Sequence, residues 1–197
     1  MFDVAIIGGG AAGFGAALTL ASVENKFPWA KNRKYLLIDD NNSDIAKARF
    51  YNLAGVEFGI GGDDLLIKMK DQLANYESVD SVNDTVIEIS GEQGNFEIKT
   101  KTSIYDAKII VLATGMHQFD IKLDDIEILP HTDVMKPNKI RLKHSNYKIR
   151  DGVYVAGLAS GSKTMFAIAN GDGVNVACDI FREWTDKPVV AHDSLKN

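Results

Sequence analysis

The feature that most constrains this chain is a glycine-rich turn that directly follows a short apolar segment. The apolar run Phe2–Ile7 is typical of a parallel strand buried on both faces. The turn Gly8–Gly13 fits the pattern G-x-G-x-x-G, and the small residues and leucines of Ala11–Val23 predict a helix. Lys34–Ile38 predicts a second buried strand. The chain therefore begins with a predicted β-α-β unit, whose two strands pair in parallel.

This arrangement predicts a dinucleotide site. The first glycine makes the tight turn, the second lets a pyrophosphate approach, and the third lets the helix pack close to the strand. The helix N-terminus offers free N–H groups and a partial positive charge to the phosphates. Asp39 and Asp40 end the second strand, where an acid binds the ribose, and Asp39 lies 26 positions beyond Gly13. This acid favours a free 2′-hydroxyl, so FAD and NAD both fit and NADP fits poorly.

The rest of the chain continues the alternation of strands and helices. A long irregular loop, residues 41–62, precedes a helix predicted over Asp63–Tyr76, whose apolar residues share one face. The predicted antiparallel β-meander, residues 85–106, consists of Thr85–Ile89, Asn95–Thr100 and Ser103–Asp106. Further strands are predicted at Lys108–Leu112 and Gly152–Ala156, and a last helix at Ala167–Trp184. We therefore predict an α/β fold of the Rossmann-like FAD/NAD(P)-binding class, with a central parallel sheet and a small antiparallel meander.

Composition limits the function classes. The 197 residues carry a net charge of -5, which argues against a nucleic-acid partner. The single cysteine, Cys178, excludes an internal disulfide framework and a Cys-x-x-Cys pair. The four histidines show no metal-ligand spacing, so no metal site is expected. No segment approaches the roughly 18 apolar residues of a membrane span, and we expect a cytoplasmic protein without a membrane partner.

Several segments together resemble the FAD domain of the thioredoxin-reductase-like flavoproteins. Residues 2–13 resemble the family's N-terminal D-V-x-I-I-G-G-G-x-A-G, and residues 51–55 resemble its E-N-x-P-G loop. Val111–Gly115 is similar to its A-T-G strand end, and Gly152–Gly157 is similar to its G-V-F-A-A-G-D strand. The order of these motifs matches over residues 1–184, which we expect to form one FAD-binding domain followed by a tail, residues 185–197.

The resemblance implies FAD as the cofactor and a role for each matching residue. The turn and first helical residues would hold the pyrophosphate, and the acids after the second strand would hold the adenosine ribose. A strand near the meander would touch adenine, and the remaining residues would lie near the flavin and the ribityl phosphate, with the Met165 N–H facing the flavin C2 carbonyl. In chain order the implied residues are Gly8, Gly10, Ala11, Ala12, Gly13, Asp39, Asp40, Asn52, Val82, Thr114, Gly115, Gly157 and Met165.

The chain also departs from the family. Leu158 stands where the family has an aspartate that binds a ribityl hydroxyl, which removes one expected hydrogen bond. Only 36 residues lie between Gly115 and Gly152, where the full-length reductases insert an NADPH domain with a Cys-x-x-Cys. A domain of that kind needs on the order of 100 residues. We therefore expect residues 116–150 to form a short connection, and electrons to come from an external donor.

Three functions remain open at this point. The first is an FAD-dependent oxidoreductase that receives electrons from a pyridine nucleotide or a redox protein. The second is a non-catalytic flavin or nucleotide sensor or subunit, and the third is an NAD-binding domain without flavin. The family pairs through its FAD domains, so a homodimer is expected. Further expectations are a buried, inert Cys178, a His117 outside the cofactor site, and a solvated basic arm at Lys136–Arg150. The alternative hypothesis is that this basic arm forms a docking face for an acidic redox partner.

Overall fold

The computed structural model describes residues 1–192 and places five parallel strands at the centre of the fold. Each strand pairs in parallel with the next, and a short antiparallel strand, β11 (Lys148–Arg150), extends one edge. From that edge the parallel strands are β12 (Val153–Val155), β8 (Ile104–Leu112), β1 (Phe2–Ile7), β2 (Tyr35–Asp39) and β5 (Val79–Asn83).

Three α-helices and several short elements complete the architecture. The helices are α1 (Ala11–Ala21), α2 (Gly62–Leu73) and α3 (Phe166–Thr185), and 3-10 turns lie at Pro28–Ala30, Asp44–Lys47 and Gly157–Ser160. The remaining strands are β3 (Arg49–Phe50), β4 (Ile60–Gly61), β6 (Val86–Glu92), β7 (Asn95–Thr100), β9 (Ile128–Pro130) and β10 (Ile140–Leu142).

The sheet separates two apolar cores because its central strands are buried on both faces. Val4 and Ile6 of β1 pack with the helices, and the helical side of this core includes Phe14 and Phe181. Ala5 and Ile7 point to the opposite face, where the meander covers the sheet. Successive side chains of a strand alternate between its faces. The continuous apolar run of β1 therefore supplies both cores at once, as a strand buried between two layers requires.

Helices α3 and α1 cross so closely that their backbones are in contact. A Cβ on Gly173 would overlap the carbonyl oxygen of Ala12, and a Cβ on Gly15 would overlap the carbonyl oxygen of Asn170. The Asn170 side-chain amide also donates to the Ala11 carbonyl at 3.0 Å. Glycine is required at these crossing points because any side chain would separate the two helices.

The sequence-based assignments of the main elements are confirmed. The predicted buried strands correspond to β1, β2 and β12, and the three predicted helices correspond to α1, α2 and α3. Asp63 and Asp64 lie in the first turn of α2, and its buried face carries Leu65, Met69 and Leu73. Acidic residues at that position are stabilised by the helix dipole.

Three assignments were wrong or incomplete. The two strands predicted at Ser103–Asp106 and Lys108–Leu112 form one strand, β8, whose first part pairs with β7 and whose second part enters the parallel sheet. Strand β5 was not predicted because it is a polar edge strand, exposed at Asp80, Ser81 and Asn83. The connection, residues 116–150, contains the β9–β10 hairpin and β11 rather than only irregular chain.

The predicted tail extends beyond the described residues, but its first part packs on the fold. Val189 and Ala191 contact the helical core, and the Lys26 ammonium donates to the Ala191 carbonyl. Within residues 1–192 no helix has both the length and the apolar character needed to cross a bilayer.

We expect Gly173→Ala to destabilise the protein by about 1–3 kcal/mol, because the added methyl group would force α3 away from the Ala12 carbonyl. Gly171→Ala is the matched control in the same helix, since a Cβ there meets no atom within 4 Å. Alanine favours a helix by up to about 1 kcal/mol over glycine, so the control is expected to be neutral or stabilising. Urea unfolding of both variants measures the difference. Equal stabilities would contradict the close crossing of the helices.

Candidate functional site

The glycine turn connects β1 to α1 at the carboxyl end of the parallel sheet. Gly8 has φ 107° and its Cβ position overlaps the Ala113 carbonyl at the end of β8, so the turn requires glycine there. The Gly9 N–H donates to Asp39 Oδ1 at 2.9 Å. Gly10 is the N-cap of α1, which has no side-chain cap and no acidic residue in its first turn. The first backbone N–H groups of α1 therefore have no capping partner and are available to bind an anion.

A cavity of about 430 Å³ opens in front of this helix end. Its walls come from the carboxyl ends of β1, β2 and β8, from the segment after β12 and from the start of α3. Ligand sites of open α/β sheets lie in this position, outside the carboxyl ends of the strands. The volume falls within the range of about 300–1,000 Å³ that is usual for ligand cavities.

A second helix also directs its N-terminus into the cavity. Met165 is the N-cap of α3, again without a side-chain cap and without an acid in the first turn. Met165 and Phe166 both line the cavity. The Met165 N–H itself donates to the Lys163 carbonyl at 2.7 Å. The free donors at this end of the cavity are therefore the first N–H groups of α3, which follow Met165.

The cavity differs in character between its two ends. Asp39 and Asp40 lie at one end, together with Asp84, Thr85 and Val86. Hydrogen bonds from the Thr100 and Thr102 side chains lower the pKa of Asp84 to about 2. The opposite end is apolar and aromatic: the Phe50 and Phe166 rings meet edge to face, with centroids 5.6 Å apart. A molecule with a polar sugar end and a flat apolar end matches this distribution.

The structure brings together ten of the thirteen residues predicted for cofactor binding. The residues that line the cavity are Gly8, Gly10, Ala11, Ala12, Asp39, Asp40, Thr114, Gly115, Gly157 and Met165. Gly157 has a further role, since its Cβ position lies 2.7 Å from the Ala12 methyl group and glycine lets the segment pack on α1.

Three predicted residues lie outside the cavity wall. Gly13 packs against the Gly8 carbonyl, which is the helix–strand contact expected of the third glycine. Asn52 is exposed on the loop between β3 and β4. Val82 packs on the core under the meander. Their contacts with a cofactor remain predictions.

Sequence reasoning missed several cavity residues, because they lie in segments without a motif. Ser43 faces the glycine turn, since its hydroxyl oxygen is 3.4 Å from the Cβ position of Gly10. The connection contributes a continuous stretch, residues 116–121. Two aromatic cavity residues, Phe50 at the end of β3 and Phe166 at the start of α3, stand in no nucleotide motif, so no sequence signal pointed to them.

His117 takes part in a chain of polar contacts at the rim of the cavity. Its Nε2 contacts Asp44 Oδ2 at 2.7 Å, and the Lys139 ammonium lies 2.8 Å from its Nδ1. A neutral imidazole protonated on Nε2 satisfies both contacts, donating to the carboxylate and accepting from the ammonium. Asp44 and His117 line the cavity, so His117 lies at the site rather than away from it as expected. This contact joins the loop after β2 to the connection.

Much of the basic arm, Lys136–Arg150, is paired within the chain. Lys143 pairs with Glu127 at 2.7 Å, and Lys148 pairs with Asp151 at 2.9 Å. The Arg150 guanidinium lies over the Phe96 ring. These contacts favour the interpretation of a solvated connecting arm over a docking face. In residues 1–192 no group of three His, Cys, Asp or Glu side chains is arranged to hold a metal ion.

Cys178 is exposed on α3, so the expectation of a buried thiol was wrong. The helix buries Val176, Ala177 and Ile180, and Cys178 falls on the opposite face. Partial burial, together with the neighbouring Asp179 carboxylate, raises the pKa of the thiol. Cys178 does not line the cavity.

Comparison with known proteins identifies the family. The family described as pyridine nucleotide-disulphide oxidoreductase matches residues 2–157. The chain belongs to this family. A ferredoxin–NADP reductase of Pediococcus pentosaceus is 28% identical over 142 residues, which are 69% of this chain and 41% of that protein. The chain thus spans about two fifths of the length of this curated relative.

Solved structures show the same fold. A thioredoxin reductase from Gloeobacter violaceus has a TM-score of 0.74 and 17% identity, and covers 97% of this chain and 99% of its own. A ferredoxin-flavin thioredoxin reductase from Clostridium acetobutylicum has a TM-score of 0.66 and 17% identity, and covers 94% of this chain and 99% of its own. At this identity the likeness shows the fold alone.

Members of the family are FAD-binding flavoproteins, and FAD is the cofactor of this chain. The residues present fit it: the uncapped N-terminus of α1 faces the cavity and would bind a pyrophosphate, and Asp39 and Asp40 on the cavity wall would bind a ribose. Leu158, which stands where the resemblance implies an aspartate, lines the cavity.

We expect Asp39→Ala to weaken FAD binding about tenfold or more, because it removes a ribose partner and the acceptor of the Gly9 N–H. Asp39→Asn keeps a side-chain oxygen for Gly9 and is expected to lose less. Asp80→Ala, exposed on β5, is the control. Fluorescence titration with FAD measures the three affinities. Equal dissociation constants for Asp39→Ala and Asp80→Ala would contradict the assignment.

We expect Cys178 to alkylate slowly at neutral pH despite its exposure. The thiolate is the nucleophile, and a raised pKa leaves less thiolate at any given pH. The alkylation rate should therefore still be rising above pH 9. Asp179→Asn removes a neighbouring negative charge and should shift the profile to lower pH. A rate that levels off below pH 8 would contradict the environment described for this thiol.

Proposed function

We propose that the chain is an FAD-dependent oxidoreductase whose flavin exchanges electrons with a donor and an acceptor that approach from outside the chain. The observation that carries the proposal is the single cavity with two uncapped helix N-termini, an acidic end and an aromatic end. The family identity supports the same assignment.

Each part of the cavity suits one part of FAD. The N-terminus of α1 would bind the pyrophosphate through its free N–H groups, and Asp39 and Asp40 would bind the adenosine ribose. Thr85 and Val86 would lie near adenine. Thr114, Gly115 and the start of α3 would face the isoalloxazine, with Phe50 and Phe166 along its apolar side.

FAD supplies the acceptance and donation of electron pairs, and the chain supplies binding and electrostatics. The start of α3 carries a partial positive charge that stabilises negative charge on whatever lies before it. No acidic residue in the first turn of α3 opposes this effect. The helix end would therefore favour the reduced, more negative cofactor over the oxidised one.

Two features support an external electron donor. The connection between Gly115 and Gly152 has 36 residues and folds as a hairpin and an edge strand, without space for an inserted nucleotide domain. The single cysteine leaves no dithiol within the sequence to pass electrons on. The names of relatives include NADP, ferredoxin and thioredoxin, so pyridine nucleotides and small redox proteins are the donors and acceptors to try first. We also propose that the chain forms a homodimer and is located in the cytoplasm.

Anaerobic reduction of the FAD-loaded protein tests this function. Bleaching of the flavin absorbance by NADH, NADPH, reduced ferredoxin or reduced thioredoxin is expected with at least one donor. The control is denatured protein mixed with free FAD. Comparing its reduction rate with that of the fully loaded protein separates bound from free cofactor. If no donor reduces the bound flavin faster than free FAD, the oxidoreductase function fails. A partner that distinguishes the two redox forms without turnover would instead favour a sensor.

A further inference from the structure

Helix α3 carries a buried carboxylate that cofactor binding does not use. Asp172 is 5% exposed and does not line the cavity. Its Oδ1 accepts a hydrogen bond from the Tyr147 hydroxyl at 2.8 Å, and its Oδ2 accepts one from the Ser162 hydroxyl. The Ser160 hydroxyl oxygen lies 3.4 Å from the same Oδ2. No ion pair of Asp172 is present within residues 1–192. A buried carboxylate is costly unless hydrogen bonds replace its water, and the Tyr147 and Ser162 hydroxyls do so here.

These hydroxyls belong to two segments outside α3, one just before the helix and one distant from it in sequence. Ser160 and Ser162 lie at the end of the 3-10 turn that follows β12, and Tyr147 lies in the connection just before β11. The same two segments make a second contact, because His144 Nε2 lies 2.8 Å from the Ser160 carbonyl oxygen. The His144 and Tyr147 rings are stacked with centroids 5.8 Å apart. Asp172 is therefore the point at which the helix, the turn and the connection meet.

The segment that Asp172 holds forms the wall at the flavin end of the cavity. Leu158, Thr164 and Met165 line the cavity on either side of the two serines. The Ser160 hydroxyl, 3.4 Å from Asp172 Oδ2, donates its hydrogen to the Gly157 carbonyl at 2.7 Å and so joins the turn to the first residue of this wall. Burial and the Asp172 bond raise the pKa of Tyr147, so its hydroxyl remains a donor over the working range of pH.

We propose that Asp172 is a positioning residue that fixes the conformation of residues 157–165 and thereby shapes the flavin end of the FAD cavity. This inference rests on the proposed function. Its carboxylate acts from behind the wall, through the hydrogen bond from Ser162, at a place where Leu158 offers the cofactor no hydrogen bond. The hydrogen bond from Tyr147 to Asp172 joins the connection, residues 116–150, to the cavity wall, residues 157–165, so a displacement of one segment would displace the other.

The same helix offers a matched control. The Tyr154 hydroxyl donates to Glu183 at 2.5 Å, which is a second tyrosine–carboxylate bond on α3. Neither Tyr154 nor Glu183 lines the cavity or contacts residues 157–165 through a hydrogen bond. Glu183 also accepts a hydrogen bond from the Gln93 amide, and its carboxylate lies 4.0 Å from the Lys148 ammonium. Glu183→Ala is therefore a control for residues 157–165, whereas Asp172→Ala tests stability together with the cavity wall.

The first experiment needs no cofactor. Amide hydrogen exchange of the full chain is compared for wild type, Asp172→Ala, Asp172→Asn and Glu183→Ala. Exchange in residues 157–165 and 144–148 should accelerate about tenfold or more in Asp172→Ala and less in Asp172→Asn. Exchange in residues 157–165 should not accelerate in Glu183→Ala. Tyr147→Phe removes one donor and should give an intermediate result if Asp172→Ala does not fold. Unchanged exchange in residues 157–165 would overturn the proposal.

The second experiment measures the bound cofactor. FAD affinity should fall about tenfold in Asp172→Ala and stay within about twofold in Glu183→Ala, and the flavin midpoint potential should shift only in the Asp172 variants. The Asp172→Asn variant should retain most of the FAD affinity and a midpoint potential close to that of the wild type. If amide exchange is faster in Asp172→Ala but its FAD affinity and flavin midpoint potential are unchanged, Asp172 does not shape the FAD cavity. A wild-type protein that binds no FAD would refute the proposed function, while the exchange experiment would still decide whether Asp172 fixes the segment.

Discussion

The close contact of α1 with its neighbours is the constraint on which the rest of the structure depends. On one side its first turn packs against the Gly8 carbonyl through Gly13, and on the other α3 crosses it at Gly173. Both contacts bring backbone against backbone, so no side chain separates the elements. This proximity brings the N-termini of α1 and α3 to one cavity. A single bulky residue at either contact would move one helix end away from the cofactor.

The charge distribution of the cavity follows from that arrangement. Five aspartates line it (Asp39, Asp40, Asp44, Asp84 and Asp120), and no lysine or arginine does so within the described part of the chain. An anionic pyrophosphate therefore depends on the helix N–H groups instead of on cationic side chains. The same acids disfavour a ligand with a further phosphate near its ribose. The cavity thus fits FAD better than a phosphorylated pyridine nucleotide, and such a donor would have to approach the flavin from elsewhere.

The connection that replaces an inserted domain has its own structural role. Its first residues line the cavity, and His117 contacts Asp44 across the rim. Its last strand, β11, extends the main sheet. Between them, Tyr147 binds the buried carboxylate of Asp172. The segment thus lines the cavity with its first residues and contacts, through Tyr147, the carboxylate that lies behind the cavity wall.

The sequence by itself determined the β-α-β start, the acid at the end of β2 and the order of the family motifs, because these depend on local periodicity and on backbone positions that only glycine fits. It also located ten of the cavity residues, since each lies in or beside such a motif. Only the tertiary structure decided the polar edge strand β5, the hairpin of the connection, and the exposure of Cys178. It alone brought Asp172 to Ser162 and Tyr147, and His117 to Asp44 and Lys139. The physical reason is that these contacts join different segments of the chain, and no local pattern of hydrophobicity or turn residues specifies which segments meet.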